Sequence, residues 1–223
     1  MAVLLIYFIR MEDFMGRIFN YESNFFQALE KIADIIVLNF LFIISCIPIV
    51  TIGASLTATY SVAMKATNDE NVYIGKEFFK VFKENFKKST IIWLILCVIG
   101  IFIGIDLYIC RFIPGFIISN IIRFICTFAG IILGFIIIYI FPIISKFENN
   151  IKNTLINSIL ISIQNLPYTL IMLIVSLLPI LCLILFNNYW GQIIFFDTVI
   201  AYGIVAYINS IFLNKVLNKY IKQ

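Results

Sequence analysis

Histidine is absent from the 223 residues. That removes imidazole bases, Ser-His and Cys-His nucleophile pairs, and the commonest zinc ligand. Charge is scarce: Asp, Glu, Lys and Arg make up 13% of the chain, about half the share of a soluble domain. The five cysteines, Cys46, Cys97, Cys110, Cys126 and Cys182, form no CxxC pair and lie in or beside apolar runs. They read as small buried hydrophobes, not as a disulfide set or a metal site. Phosphate-cradling glycine loops, metal-ligand clusters and nucleophile motifs are missing as well. The expectation is a chain with no catalytic residue, no metal, no cofactor and no enzyme activity.

What is abundant is apolar surface. Apolar residues make up 62% of the chain, and the mean hydropathy is +1.06. A soluble fold of this size cannot hide so much Ile, Phe and Leu, so the natural solvent is a lipid bilayer. A helical span needs about 20 apolar residues. Ser89–Cys110, Phe116–Phe141, Tyr168–Phe186 and Ile193–Leu213 meet that need. The region Ala33 to Met64 differs. Its first half ends at Pro48, which cannot continue a helix, and Gly53 in PIVTIG favours a turn. Its second half, ASLTATYSVAMK, is too polar to face lipid and has to pack on other helices. The fold class expected is all-α and polytopic, with six spans or four spans plus an N-terminal helical hairpin.

The net charge of +4 reports orientation before it suggests nucleic acid, and no nucleic-acid partner is expected. Lysines and arginines mark cytoplasmic loops. Arg10, Arg17 and Lys31 precede the first apolar run, and Lys65, Lys76, Lys80, Lys83, Lys87 and Lys88 follow the hairpin. Lys146 and Lys152 lie between two later runs, and Lys215, Lys219 and Lys222 end the chain. Both termini then face the cytoplasm, and Arg111–Gly115 and the NNYWGQ loop face outside. The organisation read from this is a cytoplasmic or interfacial segment (1–32), a broken hairpin (33–67), a cytoplasmic amphipathic basic helix (68–88) and a four-span bundle (89–223). Met1 to Arg10 is too short to span and lacks the features of a signal peptide. Met15, opening MGRIFNYES, is the better natural start, with the first fourteen residues read as an upstream extension.

In the stretch Gly75 to Lys88, Phe78, Phe79, Phe82 and Phe86 share one face at helical spacing, with Lys76, Lys80, Lys83 and Lys87 occupying the rest. Two readings stand: a helix lying on the inner leaflet, or a docking surface for a cytoplasmic partner. Asn149 to Pro167 is a second amphipathic segment. The pairs Gly100/Gly104 and Gly130/Gly134 have GxxxG spacing, which serves internal helix contact or an oligomer interface. Asp106, Arg123 and Asp197 are charges inside apolar runs, where each is expensive. A mutual ion-pair network, a solute or ion path, and snorkelling of Arg123 are the readings open to them.

The stretch from Met15 to Asp69 resembles the start of the YesL family of bacterial membrane proteins, which carry a domain of unknown function. The resemblance rests on Asn39, on Pro48-Ile49-Val50-Thr51-Ile52-Gly53, and on Ala54, Ala58, Tyr60 and Lys65. FFKVFKENFKKSTIIWL adds Phe78, Phe79, Phe82, Asn85, Phe86 and Trp93; Pro142, Phe147, Glu148 and Asn209-Ser210 are weaker echoes. Phe42 stands where family members often carry Trp. The resemblance implies a multi-pass protein of the bacterial cytoplasmic membrane, encoded beside carbohydrate ABC importers. Its implied role is that of an accessory or regulatory subunit, with permease and ATPase subunits as partners. An autonomous small-solute channel or transporter is the alternative, supported by the polar helix beside a chain break. A structural membrane protein without a solute is the third reading.

Overall fold

The computed structural model describes residues 24–68, 72–110, 112 and 116–221. The N-terminal segment, with Arg10, Met15 and Arg17, and most of the Arg111–Gly115 loop fall outside the described residues. Within them every regular element is helical. The elements are α1 (Asn24–Cys46), a 3₁₀ turn (Ile49–Thr51), α2 (Ile52–Ala66), α3 (Ile74–Ile109), α4 (Phe116–Lys146), α5 (Ile151–Gln164) and α6 (Leu166–Leu185). A second 3₁₀ turn (Asn187–Tyr189) leads to α7 (Trp190–Phe196), a π-helical turn (Asp197–Ala201) and α8 (Tyr202–Ile221).

Among the described residues, four helical stretches are long and apolar enough to cross a membrane: Ile74–Ile109, Ile117–Lys146, Leu166–Leu185 and Trp190–Tyr220. Their outward side chains are predominantly Ile, Leu and Phe, such as Phe102, Ile117, Phe124, Ile184 and Phe195. Lipid, not water, is the solvent that such a surface requires. The chain is a membrane protein, all-helical over its described residues.

The break between α1 and α2 falls where Pro48 removes a donor. The Thr51 hydroxyl donates to the Ser45 carbonyl at 2.5 Å and lies 2.7 Å from that of Pro48, so carbonyls freed by the break find a partner without water. Gly53 has a steric reason. A Cβ there would meet the Ser89 carbonyl oxygen at 2.5 Å and Trp93 Cβ at 2.6 Å. α2 therefore lies backbone-close to α3 and runs antiparallel to its first half, with Gly53 beside Ser89 and Lys65 beside Glu77.

α2 is the least apolar-looking of these helices and the most enclosed. Residues 53–55 and 57–64 are all buried, among α1, α3, α4 and α8. Small side chains permit this, as in helix contacts within membranes. Its hydroxyls are satisfied locally: Ser55, Thr57 and Thr59 each donate to the carbonyl four residues earlier.

α3 differs from the expected surface helix followed by a separate span. It is one continuous helix of 36 residues, about 54 Å long. Ile74, Phe78, Val81, Ser89, Ile92 and Leu96 are buried along it, and that spacing of three, four and eight draws one stripe through both halves. α5 is amphipathic with its polar face inward. Its hydroxyls, Thr154, Ser158 and Ser162, turn inward, while Ile156, Leu160 and Ile163 are exposed.

The core sits at the lysine-bearing end. It comprises Val62–Met64 of α2, Phe78 and Val81 of α3, Ile138–Phe141 of α4, Ile161 of α5, and Leu213, Val216 and Leu217 of α8. The opposite ends, 97–109, 117–132 and 180–196, are mostly exposed apolar surface. All five cysteines are free; Cys110 and Cys126 are buried and the other three half-buried.

Candidate functional site

Asn39 is fully buried in α1, on the side that crosses α8. Its side-chain amide donates to the Thr198 carbonyl at 2.7 Å and accepts from the Gly203 N–H at 2.8 Å. Those two backbone groups are five residues apart, the donor–acceptor spacing of a π-helical rung. The asparagine amide is thus inserted into the ladder of another helix, where it does the work of a peptide group. Gly203 makes the insertion possible: a Cβ there would meet the Ile35 carbonyl oxygen at 2.5 Å and Asn39 Cβ at 3.1 Å. Sequence reasoning singled out Asn39 and missed Gly203, because a lone glycine in an apolar run carries no sign of a close crossing.

Below this crossing, polar side chains tie the helices together. Asn209 on α8 donates to Ser176 on α6 at 2.9 Å and to Tyr60 on α2 at 3.5 Å. Asn214 donates to the Met64 carbonyl and to Thr67, both at 2.8 Å. Tyr139 on α4 and Thr169 on α6 share a hydrogen bond of 3.1 Å. At the α5–α6 break, Asn165 donates to Tyr220 at 3.1 Å. The elements of the bundle are joined by hydrogen bonds in a region of low dielectric, where an unpaired group is costly.

The α2–α3 connection is pinned by an ion pair. Lys65 Nζ donates to Glu77 Oε1 at 2.6 Å. The bond from the Lys65 ammonium, aided by its charge and by Lys80 and Lys76, holds the Glu77 carboxyl below its usual value against the opposing effect of burial.

The four phenylalanines of the α3 extension do not share one exposed face. Phe78 is fully buried and Phe82 packs partly against the core, whereas Phe79 is 50% exposed and Phe86 39%. The reason is the stripe through Ile74, Phe78 and Val81, which the core claims. Successive rings still touch: Phe78 stacks on Phe82 at 6.2 Å and Phe82 meets Phe86 at 5.6 Å. Lys83 and Lys87 are exposed beside them. The surface a partner can reach is therefore Phe79, Phe86, Lys83 and Lys87, on a helix anchored by Phe78.

The three intramembrane charges are not brought together. Arg123 makes no salt bridge to Asp106 or Asp197 among the described residues. Asp106 and Arg123 are both exposed, near the ends of α3 and α4, where a long side chain reaches the interface. Asp197 is buried at the first position of the π turn, and its Oδ2 has no hydrogen-bond partner among the described residues. The GxxxG pairs also divide. Gly100 and Gly134 meet Leu133 and Leu173, but a Cβ at Gly104 or Gly130 would meet nothing within 4 Å.

No group of side chains that could hold a metal ion occurs among the described residues. Pro48 itself is exposed, at the tip of the α1–α2 hairpin with Ile47, Ile49 and Val50.

No curated protein and no solved structure matches the chain. Residues 35–107 match the family model described as "Protein of unknown function, DUF624". The matched stretch runs from the first half of α1 through nearly all of α3, and it holds Asn39, Pro48, Thr51, Gly53, Lys65 and the whole basic extension. Over that stretch the chain is similar to DUF624, a family to which the description assigns no function.

Proposed function

We propose that the chain is a multi-pass membrane subunit, accessory or regulatory to a carbohydrate ABC importer in the bacterial cytoplasmic membrane. The observation that carries the reading is the α3 extension. Its base is fixed in the core by Phe78 and Val81, while Phe79 and Phe86 stay exposed beside Lys83 and Lys87. Exposed aromatic side chains beside cations on a rigid helix form a surface suited to a protein partner. The resemblance to the YesL family supplies the class of partner.

In this reading the lysine-bearing end and both termini face the cytoplasm. The spans are four, and α1–α2 is a hairpin that enters and returns on the cytoplasmic side. Two contacts support that depth. The hairpin tip lies beside Ser89 and Trp93, and Trp93 Nε1 donates to the Ile49 carbonyl at 2.9 Å. Those residues open the apolar half of α3, so the tip reaches the first turn of that span and stops. The exposed side chains of Ile47, Ile49 and Val50 then dip into the inner leaflet. The hydrogen bonding of Ser55, Thr57 and Thr59 favours this reading over a solute path along α2, because those hydroxyls are engaged with nearby carbonyls and, at Thr57, with Ser89 of α3 at 2.8 Å.

The test is affinity purification from native membranes, comparing wild type with the double variant Phe79→Ser, Phe86→Ser at equal membrane abundance. Permease and ATPase subunits should co-purify with the wild type and be lost from the variant. The proposal fails if the wild type recovers no importer subunit, or if the variant recovers as much as the wild type.

A further inference from the structure

The structure holds a feature that the proposed role leaves unused. Between α6 and the α7–α8 rod lies a half-open groove of about 600 Å³. Val175, Pro179, Phe196, Ile204 and Ile208 form its apolar walls, and Gln192 lines it nearer the Trp190 end. Asp197 also lines it. This aspartate is 93% buried, counted from its 7% exposure, and its Oδ2 is without a partner. An ionised carboxylate in such surroundings needs a compensating cation. The wall opposite is interrupted by a proline. Pro179 lies inside α6 and has no N–H to give the Val175 carbonyl four residues earlier.

We propose that this groove binds a hydrophobic amine, with its ammonium on Asp197 and its hydrocarbon along α6. An ammonium offers donors and no acceptor, which matches an apolar groove whose one acidic residue is Asp197. The walls complement an alkyl tail of roughly the volume of a small ligand site. The occupant is a free amine and not a phospholipid headgroup. Asp197 lies seven residues along the helix from Trp190, about 10 Å below the interfacial aromatic residues, and a headgroup amine does not sit that deep. The inference is independent of whether an importer binds at the other end of the molecule.

The experiment uses the full chain in phosphatidylcholine nanodiscs and dodecylamine bearing an alkyl diazirine. After photolysis, adducts are mapped by mass spectrometry. Labelling is expected within 175–208, suppressed by excess dodecylamine and unaffected by dodecanol. Asp197→Asn should reduce it about tenfold or more, the loss of a charge-assisted hydrogen bond. Ile204→Trp, which keeps the carboxylate and fills the groove, should reduce it as well, which covers the case in which the asparagine variant does not fold. Equal competition by dodecanol, or undiminished labelling in a folded Asp197→Asn protein, would show a groove filled by any alkyl chain and overturn the proposal. Undiminished labelling in Ile204→Trp would place the adducts elsewhere and overturn it too. Suppression by added phosphatidylethanolamine would assign the site to a lipid headgroup, against the free amine proposed.

Discussion

Asn39 and Gly203 are 164 positions apart in sequence and meet through one hydrogen bond of 2.8 Å, from the Gly203 N–H to the Asn39 side-chain oxygen. Together with the bond from Asn39 to the Thr198 carbonyl, it makes the π turn of the last rod depend on a side chain of the first helix. Asn39→Ala leaves both backbone groups buried without a partner, at about 1–3 kcal/mol each. Asn39→Asp keeps the acceptor and loses the donor. Reversible unfolding in mixed micelles should rank wild type above both variants. An alanine variant as stable as wild type would mean that the bulge is held by other contacts.

Glycine substitutions should separate by approach and not by motif. Gly53→Ala and Gly203→Ala each place a Cβ about 2.5 Å from a backbone oxygen and should lower the folded yield. Gly104→Ala and Gly130→Ala meet nothing within 4 Å, and should be neutral or gain up to about 1 kcal/mol of helix propensity. Monodisperse yield on size exclusion measures this. A loss at Gly104 or Gly130 matching that at Gly53 would point to a contact outside the chain.

Phe78 and Phe79 are neighbours with opposite environments. Phe78→Ala removes a fully buried ring and should cost about 3–5 kcal/mol. Phe79→Ala should stay within about 0.5 kcal/mol, as surface changes do. Thermal denaturation in detergent distinguishes them, and equal losses would contradict the burial pattern.

The break at Pro48–Thr51 was legible because proline and a hydroxyl act on the local backbone, whereas Gly53, expected in the turn, lies inside α2 and serves its close approach to Ser89 and Trp93. The enclosure of α2 was legible because Thr57 and Tyr60 cannot face lipid. The unity of α3 was also written in the chain, in Ile74, Phe78, Val81, Ser89, Ile92 and Leu96, but the change from lysine-rich to apolar surroundings at residue 89 masked it. The π turn was not legible: its cause is Asn39, and nothing near Asp197 betrays it. Pairing of Arg123 with Asp106 failed as an expectation because depth along a helix says nothing of azimuth, and both residues turn outward.

The Lys65–Glu77 pair should give stability a pH dependence. Folding lowers the Glu77 pKa from its ordinary 4.5 through the bond with Lys65. The contribution is therefore present above that ordinary value, and is lost as pH falls toward the lower, folded-state one. With Lys65 partly exposed, its size is about 1 kcal/mol or less. The melting-temperature difference between wild type and Glu77→Gln should be constant near neutrality and vanish in acid. A difference that persists unchanged in acid would assign the effect to something other than this charge.

Topology has a direct test in a cysteine-free background. A single cysteine at Asn188 should react with an impermeant reagent on intact cells, and one at Lys83 should react only after lysis. The reverse pattern would invert the orientation.

The enclosure of α2 has a consequence for how the protein is made. Tyr60 and Met64 find their partners Asn209 and Asn214 only 149 and 150 residues later in the chain. A ribosome delivers α1 and α2 long before α8 exists, and α2 is too polar to wait in bare lipid. The hairpin has to rest at the membrane surface or against an insertion factor until the last rod arrives to enclose it. A chain truncated before residue 202 should therefore be inserted at α3 yet open to protease around α2, so that α2 is enclosed when the last rod arrives and not when it meets the membrane.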